Sequence, residues 1–390
     1  MRSSRTTALV LVTLATFTAF LAYSIAVPVL PDLSRRFGAS PTTIGLLFAS
    51  FGITVLATSV PMGAVSDRLG RRVPLVAGCL GLAVSTIVFA YADSLTLLFV
   101  ARLAQGAADA VTWVVGFALI ADVYGPGERG RAMGAVMSAT TFGFMIGPTF
   151  GGWLYERGGA KVPYLLVAGL SIVVASGFLW WRSPARQAQS DRVPIHQVLR
   201  IPAVAFCAAA VVAGGGTLVM LEPVLALYLS EAIGLGPSGI GLVFGSGAVV
   251  SAVLHPLAGR ISDRVGGRVM LLAGLTGMAL LLPALAGIRS LATGIVLHAV
   301  FTVAAVTVVT PSLASMAAAA WVAGVRSYGV AYGVYNFAWA LGLLIGPPLG
   351  AAVYEHAGFT VLVFGWGTGL LVCTALLARA GDPAKVQQAV

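Results

Sequence analysis

Apolar positions along this chain come in long runs, and the polar ones gather in short stretches between them. Twelve such runs begin near Ala8, Ile44, Val73, Leu95, Ala132, Val162, Ile201, Ile240, Val269, Leu291, Val330 and Phe359. About 20 predominantly apolar residues cross the hydrocarbon core of a bilayer as one helix, so each run predicts a transmembrane helix. The first follows a basic stretch, Met1 to Thr7, as a secretion signal would. Its length and the eleven runs behind it predict a helix that is retained.

The polar punctuation repeats. Gly63-Ala-Val-Ser-Asp67-Arg68-Leu-Gly70-Arg71-Arg72 follows the second run, and Gly259-Arg-Ile-Ser-Asp263-Arg264-Val-Gly266-Gly267-Arg268 follows the eighth, 196 residues later. In the fifth run Gly134, Gly143, Gly147, Pro148 and Gly151 recur as Gly333, Gly342, Gly346, Pro347 and Gly350 of the eleventh, 199 residues later. Two motifs at nearly one offset predict two six-helix bundles, residues 1–181 and 201–390, joined by a basic cytoplasmic linker, 182–200. Internal repeats of this kind are common in transporters, which bind cargo between them. The predicted fold class is all-α integral membrane, with twelve transmembrane helices.

Composition agrees: 58% of the 390 residues are hydrophobic and 9% charged, against roughly a quarter charged in soluble domains. The net charge of +10 suggests nucleic acid until its distribution is seen. With the N-terminus inside, 17 of the 23 Lys and Arg fall in cytoplasmic segments, five in external loops, and Arg102 inside a helix. That is the positive-inside pattern, not a nucleic-acid footprint. The expected surroundings are a lipid bilayer, with both termini cytoplasmic. Arg outnumbers Lys by 21 to 2, which points to a GC-rich bacterial source and hence the bacterial cytoplasmic membrane. Cys79, Cys207 and Cys373 lie in apolar runs, as small hydrophobes.

On these motifs the chain resembles the major facilitator superfamily, in particular its drug:proton antiporter branch. Gly63 to Arg72 is similar to that family's signature loop, Arg102-Leu-Ala-Gln105-Gly106 to its helix-four motif, and Gly134 to Gly152 to its antiporter motif. Ala26-Val-Pro28-Val-Leu-Pro31 and Leu221-Glu222-Pro223 resemble the vesicular amine transporters and their bacterial relatives. Where those carry membrane acids in helices one and eleven, this chain has Ala19 and Asn336, and helix ten offers Val306 or Thr307. The resemblance implies alternating access, with the signature loops, Asp67 and Arg68 in one and Asp263 and Arg264 in the other, as conformational switches.

Ionisable residues at membrane depth are costly, which makes them functional candidates. Arg102, Gln105, Asp109 and Trp113 are spaced 3, 4 and 4 and so share a helix face, expected to line the central cavity. For Asp109, burial disfavours the charge and Arg102, two turns away, favours it, a balance within reach of neutral pH. The bland alternative is a fixed polar pair. Glu222 stands before Pro223 and after Gly214-Gly-Gly216, where the helix is expected to bend. Asp122 is expected in an interfacial cluster with Glu128, Arg129 and Arg131. His298 suits packing better than proton relay, and His255 is expected to be structural. Phe20, Tyr23, Trp113, Phe117, Tyr335 and Trp339 could offer ring faces to a cation. In the signature loop Gly63 and Gly70 allow close approach and a turn, Asp67 would take backbone donors of a neighbouring helix, and Arg68, Arg71 and Arg72 would face anionic lipid. Glycines 143, 147, 151 and 346, with Pro148 and Pro347, predict tight helix packing.

The expected function is export of a small amphipathic or aromatic compound, cations included, driven by proton entry. The partners are that solute and protons, the protein is expected to be monomeric, and neither cofactor nor metal is implied. The rival within transporters is a symporter or uniporter for a sugar, peptide or organic anion. The rival outside them is a receptor or scaffold, which would need an extramembrane domain. The carboxylates and histidines are too dispersed for catalytic geometry.

Overall fold

A computed structural model describes residues 2–181, 195–322 and 328–379. The polar and apolar runs translate into helices almost one for one: α1 (Arg2–Ser24), α3 (Pro41–Leu69), α4 (Arg72–Tyr91), α5 (Leu95–Val123), α6 (Pro126–Gly158) and α7 (Val162–Trp180), with a short α2 (Leu30–Phe37) after α1. Then come a one-turn α8 (Ile195–Leu199), α9 (Pro202–Glu231), α10 (Pro237–Val265), α11 (Gly267–Leu281), α12 (Leu291–Val322) and α13 (Tyr328–Arg379). Of the expected linker, 182–194 lies outside the described residues.

Ten helices among the described residues are long and apolar enough to cross a membrane. The last of these, 333–379, holds two spans, because Gly358 at φ 81° breaks α13, next to the run expected to start at Phe359. With the 33-residue α6 this gives twelve. The first run departs from a plain helix: α1 stops at Ser24 and a 3-10 turn, Val27–Val29, precedes α2. Pro28 and Pro31 lack the N–H that an uninterrupted ladder requires.

Loops between spans are tight. Ser40 and Ser94 cap α3 and α5, their hydroxyls accepting from the Thr43 and Leu97 amides, as N-caps do. The turns after α3 and α10 run through Gly70 at φ 79° and Gly266 at φ 89°, left-handed backbone that only glycine adopts without strain.

The chain forms two compact units, residues 1–189 with 229–245, and 190–228 with 246–390. In the first, α3 lies along α5, α1 along α6, and α4 against both α5 and α7. Its core joins Leu47, Leu82, Phe89, Leu98, Tyr164 and Val167. In the second, α11 packs on α12 and on α13, with Ala258, Met270 and Val306 clustered between α10, α11 and α12. Large apolar side chains such as Val84, Val173, Leu280 and Leu376 point outward, as a lipid-facing surface requires.

Candidate functional site: buried polar groups in two units

Three glycines of the fifth run, Gly143, Gly147 and Gly151, weld α6 to α1, while a Cβ at Gly134 would meet nothing within 4 Å. A Cβ added at Gly143 would stand 2.6 Å from the Phe17 carbonyl oxygen, one at Gly151 2.6 Å from Ile25 Cγ1, and one at Gly147 would strike the Ser24 hydroxyl. Ser24 Oγ also donates to the Gly143 carbonyl at 3.3 Å. The repeat does the same in the second unit. A Cβ added at Gly342 would stand 2.9 Å from the Gly216 nitrogen, one at Gly346 would strike the Gly216 carbonyl, and one at Gly350 the Met220 side chain. Gly216 supplies this contact, and α9 stays helical through Pro223.

Arg102 on α5 is 0% exposed, inside the packing of the first unit and not on an open cavity wall. Its guanidinium carbon lies 4.6 Å from the ring centre of Phe48, 5.2 Å from Phe89 and 5.5 Å from Tyr23. Each ring face is worth about 0.5–2 kcal/mol, more as water is excluded. Nη1 donates at 3.4 Å to Gln105 Oε1 and at 3.5 Å to the Tyr23 carbonyl. Gln105, also buried, donates onward to Thr86 Oγ1 at 3.2 Å.

One turn further along α5 comes Asp109, 6% exposed, with Thr112 Oγ1 donating to its carbonyl at 2.9 Å. The next turn carries Trp113, which begins an aromatic layer. Its ring centre is 4.8 Å from Phe117 and 5.6 Å from Phe20. Phe20 meets Phe144, which stacks on Tyr23 at 6.1 Å, and Tyr23 meets Phe51 at 5.0 Å. The expected face of Arg102, Gln105, Asp109 and Trp113 is therefore continuous, with its first two members sealed and the last bordered by rings.

In the second unit Glu222 is 6% exposed, so it is not a wet surface acid. Along α13, Tyr335 stacks on Trp339 at 6.2 Å. Asn336 is half-buried beside them. Trp339 lies over Gly215 of α9, where a Cβ would meet its ring at 2.9 Å. His298 is buried against Gly247. His255 Nδ1 and Thr310 Oγ1 are 2.6 Å apart, joining α10 and α12 one residue before Pro256 and Pro311.

The signature loop differs from expectation. Arg71, expected at the lipid surface, is 5% exposed and bridges Asp67 at 2.9 Å and Asp122 at 2.8 Å. It also donates to Ser66 Oγ at 2.6 Å. Asp122 thus sits in a charge cluster, but with Arg71. Of its expected neighbours, Arg129 donates to the Ala121 and Tyr124 carbonyls and Glu128 pairs with Arg5 at 3.9 Å. Arg72 donates to the Phe178 carbonyl at 2.9 Å, and Arg68 is exposed. In the second copy Arg268 donates to the Leu377 and Ala378 carbonyls, while Asp263 and Arg264 are exposed. Among the described residues no group of three His, Cys, Asp or Glu could hold a metal ion.

The family model described as Major Facilitator Superfamily matches residues 12–221 and 204–389. The chain belongs to the Major Facilitator Superfamily. It is 29% identical to the vesicular acetylcholine transporter of Rattus norvegicus, over 94% of this chain and 72% of that protein. It is 28% identical to the chromaffin granule amine transporter of Homo sapiens, over 83% of this chain and 62% of that protein. Among solved structures it resembles a bacterial homologue of the human lysosomal transporter Spinster, with TM-score 0.78, 17% identity, and coverage of 97% of this chain and 96% of that one. The superfamily fold of twelve helices accounts for the architecture, and the chain is a membrane transporter rather than an enzyme. Sequence reasoning missed two groups. Phe48, Phe51, Phe89 and Phe144 surround Arg102 and Tyr23 from distant helices, with no local signal. Glu156 had one, since Tyr155-Glu156 recurs as Tyr354-Glu355 at the 199-residue offset of the antiporter glycines.

Proposed function

We propose that this transporter exports a small amphipathic or aromatic cation, such as an amine, in exchange for protons, by alternating access between two six-helix halves, 1–181 and 201–390. The observation that carries the reading is a buried carboxylate in each unit, Asp109 and Glu222, both at 6% exposure. Asp109 lies one turn from the aromatic layer of Trp113, Phe20 and Tyr23. A carboxylate in such surroundings binds either a proton or an organic cation, and competition between the two is the simplest coupling of their flows. The vesicular amine and acetylcholine relatives support a cationic solute. Asp109 in helix four then supplies the acid that the position of Ala19 lacks, and Asn336 contributes a neutral polar contact. The seventeen cytoplasmic Lys and Arg support a cytoplasmic-membrane location with both termini inside.

The test is solute-triggered proton movement in proteoliposomes under an imposed pH gradient, across lipophilic cations, neutral drugs and sugars. A lipophilic cation should release protons, and Asp109→Asn or Glu222→Gln should abolish that release. Solute flux with no proton movement, unchanged in both variants, would sink the exchange mechanism. Proton flow in the same direction as a sugar, peptide or anion would establish symport.

A further inference from the structure

Within the first unit α6 packs through two faces. Besides the face on α1, it meets the opening residues of α10. An added Cβ at Gly152 would strike the Pro237 carbonyl, one at Gly241 the Pro148 carbonyl, and one at Gly245 the Thr149 hydroxyl. Thr149 Oγ1 donates to the Gly241 carbonyl at 2.9 Å. One turn beyond Gly152, Glu156 reaches the first turn of α10. The Ser238 amide donates to Oε1 at 2.9 Å, and the Ser238 hydroxyl donates to Oε2. The first amides of a helix have no partner within it, and its dipole favours an anion there. Glu156 meets both needs from a different helix. Nearby, Arg35 donates to Ser230 Oγ at 3.0 Å at the end of α9.

We propose that Glu156 is a releasable clasp, holding the start of α10 against α6 at the external end and letting go once in each transport cycle. The proposal rests on the transport reading above. Its chemistry suits repeated opening. Glu156 is exposed, so water replaces its two bonds as they break. The glycines beneath carry no side chains to reorder when the faces meet again. The same residue types recur in the other half of the repeat, Tyr354-Glu355 for Tyr155-Glu156 and Pro41-Thr42 for Pro237-Ser238.

The test introduces Glu156→Cys and Ser238→Cys together, with Cys79, Cys207 and Cys373 changed to alanine, and bridges the pair with a short bis-thiosulfonate in proteoliposomes. Transport should fall to background when bridged and return with dithiothreitol, the unbridged protein serving as the control for folding. Undiminished transport by protein shown by mass to be bridged would overturn the proposal. A second arm needs no transport: in Glu156→Ala, hydrogen exchange over residues 237–245 should rise about tenfold, the scale of one charge-assisted bond. Unchanged exchange would equally overturn it. A wild-type protein that moves no solute would defeat the functional reading alone, and the exchange arm would still decide whether Glu156 holds α10.

Discussion

In the first signature loop Arg71 turns inward to join Asp67 and Asp122, whereas Gly267 occupies the matching step of the second and rests against the Ser315 hydroxyl. One residue later the copies agree again. Arg72 donates to the end of α7 and Arg268 to the end of α13. The repeat has kept the turn and the arginine that satisfies a helix C-terminus, both of which any six-helix half needs. It has not kept the ion cluster, and α12 carries no carboxylate that could complete one. The first loop therefore stores an electrostatic lock that the second lacks, and the two halves need not respond alike to charge substitution.

The sharpest way to break this contrast is Arg71→Ala, which leaves Asp67 and Asp122 facing a buried gap. It should cost about 3–5 kcal/mol, read as a fall in Tm in detergent, and adding Asp122→Asn should recover part of the loss. Next is Gly267→Arg, which asks the second loop to imitate the first. With Ser315 in the way and no acid on α12, it should destabilise by about 1–3 kcal/mol, and a gain in Tm would show that the lock can be transplanted. The smallest effect belongs to the shared feature. Arg72→Ala and Arg268→Ala should each cost about 1 kcal/mol, in similar measure, and a large disparity between them would end the equivalence of the caps.

The fold was legible because a bilayer leaves the chain few choices: spans must be long and apolar, and even the restart at Phe359 marked the break at Gly358. Glycine spacing announced close packing but not its partner, since the spacing says nothing about which helix lies opposite. The direction of Arg71 was hidden for a similar reason. Its aim depends on the turn at Gly70 and on the rotation of α4, and one partner, Asp122, lies 51 residues away. Arg102 was recognised as exceptional, yet the rings that shelter it come from α1, α3 and α4, which no local pattern connects. Asp109 and Glu222 were visible simply as acids in apolar runs.

The glycine steps between α6 and α1, and between α9 and α13, have a mechanical consequence. With backbone resting on backbone there is no compliant layer of side chains to absorb a displacement. Over the stretches Gly143–Gly151 and Gly342–Gly350 each pair should therefore behave as a stiff unit, a displacement of one helix carrying its partner with it. Flexing is then left to stretches outside those steps, and in the second unit Pro256 and Pro311, beside His255 and Thr310, lie in one of them.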